Sequence, residues 1–206
     1  MRKNFGAKPY TYPQPVFMIA TYDENGTPDV MNAAWGGISE GNELSMCISE
    51  GHKTTKNLLA RKAFTVSMAD APHMTACDYV GIVSANKVPD KFEKAGFHAV
   101  KSEFVDAPLI EELAVAVECR LKSYDAKTCR LVGEIVNVSV DEKVLDENGN
   151  YVFDVQEGFT LNRFRADIYG EALIDNLTDE QKNATADQMM EYLSGSKGFS
   201  IVLYGD

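Results

Sequence analysis

The feature that most constrains the fold is a series of short, apolar, β-prone segments separated by tight turns. Residues 16–22 predict a strand, Asp23 to Gly26 predict a turn that ends in the Asn-Gly hairpin signal, and residues 30–36 predict the returning strand. Further strands are predicted at 44–49, 64–68, 113–124 and 129–140, the last two forming a long hairpin. Many strands with short turns favour a barrel or sandwich over a doubly wound sheet. We therefore predict a mainly β fold with helical insertions.

Helix-capping patterns indicate where the insertions lie. Thr75 with Asp78 resembles a capping box and predicts a helix through about residue 84. Asp90 is the predicted start of a short helix over residues 91–95. Similar caps predict a C-terminal helix and a final strand within residues 176–206, after an irregular excursion at 141–164 that we expect to cover a partner subunit.

Length and charge limit the classes of function. The chain has 206 residues, which predicts a single domain over residues 1–206. Its net charge of −11 disfavours partners with phosphate backbones or anionic headgroups, so we expect neither nucleic-acid nor membrane binding. No apolar segment approaches the roughly 20 residues that span a bilayer, and no apolar core of a signal peptide follows the basic N-terminus. A cytoplasmic location is therefore expected.

Cysteine and histidine spacing predicts neither a metal site nor a hydrolase. The chain has four widely spaced cysteines, without a Cys-x-x-Cys pair or a histidine at zinc-site spacing. We expect them to be reduced and buried, although Cys77 could be a reactive thiol because it falls in the first turns of a predicted helix. An acidic run from Asp146 resembles a calcium loop but has Tyr151 where glycine is required. The three histidines lack any nucleophile signature nearby.

A strand-to-helix junction is the first candidate for chemistry. Residues 49–57 follow a predicted strand and continue into a helical segment, with Lys53 and Thr54 near the helix start. Backbone amides at a helix start, a hydroxyl group and an ammonium group can together bind a phosphate. The alternative, which the residues leave open, is that Thr54 or Thr55 is an ordinary N-cap and that the lysines are solvated.

The second candidate surrounds the only tryptophan of the chain. Trp35 lies in the segment 31–39 among small residues that would let a planar ligand approach the backbone. The alternative is that Trp35 packs in the core, as large aromatic side chains commonly do.

Several segments, in order and with natural spacings, resemble the flavin reductase-like family with the FMN-binding split barrel. The resemblance is closest to the flavoredoxin branch of that family. It covers about residues 10–175 and is carried by the segments 12–16, 18–26, 32–39, 52–57, 78–84, 90–96 and 132–136.

The resemblance implies an FMN-binding split β-barrel that forms a homodimer with one FMN per subunit near the interface. It implies that the isoalloxazine ring and ribityl chain are lined by Asn32, Ala33, Ala34 and Trp35. It also implies that the phosphate is held by Ser49, Lys53, Thr54 and Asn57. Further contacts in the helical insertion are expected from Asp78, Tyr79, Ser84 and Lys87.

The function implied is that of an FMN-dependent oxidoreductase. Electrons would come from NAD(P)H or a redox protein and pass through bound FMN to an acceptor that the sequence does not identify. No catalytic side chain is predicted, because the flavin itself performs the redox chemistry. The alternative is an electron carrier or flavin-storage protein without turnover of its own.

Overall fold

The computed structural model describes residues 2–11, 14–145, 147 and 149. The predicted C-terminal helix and strand, and most of the 141–164 segment, lie outside the described residues. Within them the strands are β1 (Phe17–Tyr22), β2 (Pro28–Ala33), β3 (Gly36–Glu40), β4 (Glu43–Cys47), β5 (Ala63–Met68), β6 (Ala99–Lys101), β7 (Pro108–Ile110), β8 (Val115–Asp125) and β9 (Arg130–Val140). The helices are α1 (Lys53–Arg61), α2 (Met74–Ile82) and α3 (Lys91–Lys94), and a 3-10 turn spans Glu142–Val144.

A seven-stranded antiparallel sheet organises this part of the chain. Its order is β2-β1-β5-β8-β9-β4-β3, while β6 and β7 form a separate two-stranded sheet. The large sheet curls into a half-barrel, which confirms the expected mainly β split barrel with helical insertions. The two edge strands β2 and β3 follow one another in the chain but do not pair within the described sheet, so the barrel is open at this seam.

The hairpin predictions are confirmed. Gly26 has φ +82°, and the carboxylate of Asp23 accepts the backbone N–H groups of Asn25 at 2.8 Å and Thr27 at 2.9 Å. These contacts explain why the β1–β2 turn forms at this position. Strands β8 and β9 form the predicted long hairpin, pairing from Val115 with Val140 to Asp125 with Arg130.

The predicted return strand at 30–36 is wrong at its end. Strand β2 stops at Ala33, and Gly36 begins β3, which pairs with β4 instead. A Cβ atom at Gly36 would lie 2.8 Å from the ring of Phe17 and 2.9 Å from the Cβ of Met46. The chain therefore crosses to the other edge of the sheet at a point where only glycine fits.

The predicted capping box of α2, the first helix of the insertion, is also wrong. Helix α2 begins at Met74, one residue before Thr75, and its N-cap His73 makes no side-chain capping bond. The backbone N–H of His73 is instead bound by the Asp70 carboxylate at 3.0 Å. Helix α3 follows Asp90 as predicted and ends before Gly96, which has φ +85°.

Two apolar clusters lie on opposite faces of β1. Ile19 packs with Phe64 and Leu131 in one cluster, whereas Met18 packs with Val80 and Phe92 in the other. Successive side chains of a strand point to opposite faces, so a strand covered on both sides is apolar throughout. The second cluster fixes the helical insertion, α2 and α3, against the sheet.

The cysteine prediction is confirmed only in part. Cys77 and Cys119 are buried, but Cys47 is exposed and Cys129 is partly exposed, and all are free thiols. Among the described residues, no helix is both long and apolar enough to cross a bilayer.

Candidate functional site

The start of α1 is a basic helix end without a side-chain cap. Its N-cap His52 makes no capping bond, and no acidic residue lies in the first turn, where Lys53 and Lys56 are found. The first N–H groups of an α-helix have no acceptor within the helix, and they carry the positive end of its dipole. This arrangement suits an anion, as the sequence predicted for the phosphate.

Thr54 and Asn57 point inward from this helix rather than toward solvent. Thr54 is 1% exposed and donates its hydroxyl hydrogen to the Asp29 carboxylate at 2.6 Å. The Asn57 amide nitrogen lies 3.5 Å from the same carboxylate oxygen and 3.2 Å from the hydroxyl of Thr21. Neither Thr54 nor Thr55 is the N-cap, so that interpretation is wrong. In this structure the two predicted phosphate contacts link α1 to strands β1 and β2.

A buried ion pair continues this polar network into the helical insertion. The Lys91 ammonium lies 3.5 Å from the Asp29 carboxylate, and both side chains are 4% exposed. It also donates to the carbonyls of Val80 at 2.8 Å and Val83 at 3.0 Å, at the end of α2. Burial lowers the pKa of Lys91, which the charge of Asp29 opposes. Sequence analysis missed both residues, because only their burial distinguishes them from surface charges.

The loop after α2 lies beside the start of α1. The Asn86 side-chain amide donates to the carbonyl of Gly51 at 3.2 Å, and Asn86 also binds the hydroxyl of Ser84. Ser84 and Lys87 are both exposed on this loop. The structure therefore brings the predicted Ser84 and Lys87 to the same region as Ser49 and Lys53, although they are far apart in sequence.

The acidic β1–β2 turn borders the same region. The Lys53 ammonium donates to the Glu24 carboxylate at 2.9 Å and lies 3.9 Å from that of Asp23. The hydrogen bond from Lys53 lowers the pKa of Glu24. For Asp23, burial raises the pKa, but backbone hydrogen bonds and the charge of Lys53 outweigh it and the pKa is lowered. A small cleft between turn, helix and loop is lined by residues that include Asp23, Lys53, Ala85 and Pro89.

Asn32, a predicted flavin contact, lies against α2. Its side-chain amide donates to the carbonyl of Cys77 at 3.1 Å. A Cβ atom added at Gly81 would lie 2.1 Å from the amide nitrogen of Asn32, so a side chain at this position would have to displace the Asn32 amide. The contact joins strand β2 to the helix that carries Asp78 and Tyr79.

The residues at the open seam differ in exposure. Trp35 is 64% exposed, so the alternative interpretation, that it packs in the core, is wrong. Ala34 is partly exposed, and Ala33 packs at the margin of the first apolar cluster. The Trp35 backbone carbonyl accepts a hydrogen bond from the N–H of Cys47 at 2.8 Å. This bond joins the seam to the end of β4, two residues before Ser49.

The predicted contacts on the insertion helix differ in exposure. Asp78 is exposed, whereas Tyr79 packs at the margin of the second apolar cluster. Cys77 is buried, and burial raises the pKa of its thiol to about 12, with the charge of Asp70 adding to the effect. The expectation of a reactive Cys77 is therefore wrong, because desolvation outweighs the helix dipole.

The described residues fit a phosphorylated planar ligand such as FMN. An exposed, basic, uncapped helix end suits a phosphate, and an exposed tryptophan beside small residues at an open seam suits a flat ring.

A family model described as "Flavin reductase like domain" matches residues 10–159. Among solved structures, flavoredoxin of Desulfovibrio vulgaris (Miyazaki F) is 31% identical, with a TM-score of 0.70 over 78% of this chain and 93% of that chain. Flavoredoxin from Methanosarcina acetivorans has a TM-score of 0.63 at 21% identity, covering 75% of this chain and 82% of that chain. An uncharacterized protein of Aquifex aeolicus is 28% identical over 153 residues, which cover 69% of this chain and 76% of that protein.

Proposed function

The chain belongs to the flavin reductase-like domain family, and from this premise we propose that it is an FMN-dependent oxidoreductase. It would take electrons from NAD(P)H or a redox protein and deliver them, by way of bound FMN, to an acceptor. Flavin supplies hydride and single-electron chemistry, so the chain itself must bind, orient and shield the cofactor. Because the flavin supplies the redox chemistry, the site needs groups that bind the cofactor and does not need a nucleophile or a general base.

The observation that carries the proposal is the basic, uncapped start of α1. A protein with a net charge of −11 here presents Lys53 and Lys56 at a helix start without an acidic residue in the first turn. A flavin phosphate carries nearly two negative charges and is stabilised by helix-end amides and ammonium groups. We assign the phosphate to this helix end, with Ser49 and Lys53 beside it and Ser84 and Lys87 approaching from the loop.

Thr54 and Asn57 act as positioning residues in this proposal. Both bind Asp29, which also faces Lys91, so they hold α1 against strand β2 and the insertion. The ring end of the flavin is assigned to the seam, where Trp35 is exposed and Asn32 is held by α2.

A homodimer is part of the proposal. Trp35 at the seam and Ile38 on the edge strand β3 are 64% and 67% exposed, and large apolar side chains that are exposed close together commonly mark an interface. A second copy of the chain over this edge would also cover unpaired strand groups and the open side of the flavin.

The first experiment is a visible absorption spectrum of the purified protein after FMN is added and excess is removed by gel filtration. The proposal expects flavin bands that stay with the protein and bleach under anaerobic NADH or NADPH. Bands that persist with both nicotinamides would favour the alternative, an electron carrier loaded by a protein donor. Absence of bound flavin at micromolar FMN would contradict the proposed function.

The phosphate assignment is tested by Lys53→Ala. Loss of a hydrogen bond to a charged group should raise the Kd for FMN about 10- to 100-fold. Lys122→Ala is the matched control, because Lys122 also pairs with a glutamate, Glu43, but projects from β8. Equal FMN affinity in Lys53→Ala and the wild type would show that the phosphate lies elsewhere.

A further inference from the structure

We infer that Glu24 sets the strength of FMN retention by competing with the flavin phosphate for Lys53. This inference rests on the proposed function and concerns the same site. Glu24 is not a ligand in this role. Its carboxylate is a built-in counter-charge that weakens binding of a dianionic phosphate and leaves binding of the flavin ring unchanged.

The competing Glu24 carboxylate is in direct contact with the ammonium group of Lys53. The Lys53 nitrogen donates to the Glu24 carboxylate at 2.9 Å, and the Lys53 side chain is 22% exposed while that of Glu24 is 69% exposed. Lys53 is the first residue of α1, at the helix end assigned to the phosphate. An incoming phosphate must therefore share the ammonium with a carboxylate or displace it.

The turn holds Glu24 in this position through other residues. Asp23 accepts two backbone N–H groups within the turn, and the carbonyl of Asp23 accepts the guanidinium of Arg61 at 3.1 Å. These hydrogen bonds stabilise the turn and hold it against α1, and none of them involves the Glu24 side chain. Among the described side chains, the one that donates to the Glu24 carboxylate is Lys53. Replacement of Glu24 should change the charge at the site without changing the fold.

The sign of the effect follows from Coulomb's law. A carboxylate several ångströms from a phosphate repels it and also neutralises part of the attraction of Lys53. Removing one such charge near a dianion in a solvent-exposed site should lower the Kd about 3- to 10-fold, and the gain should shrink as salt screens it. Riboflavin lacks the phosphate, so its affinity should not respond to this charge.

The test compares FMN and riboflavin titrations, followed by flavin fluorescence, for the wild type, Glu24→Gln and Asp106→Asn. Asp106 pairs with Arg61 at 3.0 Å, so its variant removes one carboxylate from an exposed ion pair at the other end of the same helix. That end lies about 12 Å from Lys53 at the usual helical rise. Both variants change the net charge equally.

The inference expects Glu24→Gln alone to bind FMN more tightly, with unchanged riboflavin affinity and a smaller gain at about 0.5 M salt. An FMN affinity equal to that of the wild type would overturn it. A gain that Asp106→Asn shares, or that extends to riboflavin, would overturn it as well, because the cause would then be net charge or ring packing. If the wild type binds no FMN, the proposed function is wrong. If the wild type binds FMN and the Glu24→Gln variant binds it equally well, only the inference about Glu24 is wrong.

Discussion

At the residue scale, the side chain of Asn32 packs directly against Gly81 of α2. The Asn32 amide fills the space where a Gly81 side chain would lie and binds the carbonyl of Cys77. The predicted flavin strand and the insertion helix are therefore joined at a position where an added methyl group would have to displace the Asn32 side chain.

We expect Gly81→Ala to destabilise the protein by about 1–3 kcal/mol, since overpacking must displace Asn32 and break its hydrogen bond. Urea unfolding measures the change. Gly37→Ala is the control, because a Cβ atom there meets nothing within 4 Å. Equal stability of the Gly81 variant and the wild type would show that Asn32 has room to move.

The end of α1 contains a strained backbone at Lys62. This residue caps the helix with φ 58°, and its N–H binds the carbonyl of Leu58 at 2.8 Å. A residue with a side chain is less stable by roughly 1 kcal/mol in the left-handed conformation, and glycine does not have this cost.

Lys62→Gly should accordingly raise the free energy of unfolding by about 0.5–1 kcal/mol, less any loss from greater freedom of the unfolded chain. Ala60→Gly, an exposed position inside the same helix, should lower it by about 0.5–1 kcal/mol. The opposite signs, measured by urea unfolding, separate backbone strain from a general effect of glycine. Destabilisation by both substitutions would contradict the strain argument.

At the element scale, buried charges rather than apolar contacts alone join the helices around the site. Asp29 on β2 binds Thr54 of α1 and faces Lys91 of α3, which in turn binds the last carbonyls of α2. A buried ion pair is costly to break because the remaining charge is left uncompensated. The arrangement of the proposed site therefore depends on this buried pair, and Asp29 itself lines the cleft beside Lys53.

Another ion pair, outside the proposed site, joins the residue before β6 to a residue that follows β7. His98 and Glu112 are hydrogen-bonded side chain to side chain, and the backbone N–H of His98 also binds Glu112 at 3.1 Å. The hydrogen bond that His98 donates to Glu112 raises the pKa of His98, and the negative charge of Glu112 adds to the effect. For Glu112, burial raises the pKa, but the hydrogen bonds from His98 outweigh it and the pKa is lowered.

The pair should stabilise the fold fully between the ordinary pKa values of 4.5 for glutamate and 6.5 for histidine. Stability is lost as pH rises through the raised pKa of His98, and also as pH falls through the lowered pKa of Glu112. The difference in Tm between the wild type and His98→Gln should therefore be largest near pH 5.5 and small near about pH 9. A difference independent of pH would rule out an ionic contribution.

At the scale of the whole molecule, the open seam is the basis for the proposed homodimer. The sheet order leaves β2 and β3 as edges, and the residues between and beside them include exposed Trp35 and Ile38. An exposed apolar edge strand favours pairing with another chain.

Light scattering of the flavin-loaded protein should give twice the 22.7 kDa chain mass. Ile38→Glu should shift the protein toward the monomer by placing a charge in the interface. Val100→Glu is the control, because Val100 is 43% exposed on the separate two-stranded sheet. A monomeric wild type would remove the dimer from the proposal, and an unaffected Ile38 variant would move the interface elsewhere.

Most strand positions and both main hairpins could be predicted from sequence, because their causes are local. The apolar segment of β1 and the Asn25-Gly26 turn carry their signals within a few neighbouring residues. The start of α2 could not be predicted in this way. Thr75 and Asp78 carry a capping pattern, but Asp70 binds the backbone N–H of His73, and the helix starts at Met74.

The amino-acid sequence by itself determined the strand-rich architecture, the basic helix start at Lys53 and the resemblance to one family, since each depends on residue types at short spacings. Only the tertiary structure decided that Thr54 and Asn57 turn to Asp29, that Lys91 is buried beside it, and that Lys53 meets Glu24. These partners lie 25 residues or more apart in sequence, so no local pattern records them. A side chain's burial and its partner depend on how distant segments pack, and that packing is a property of the whole fold.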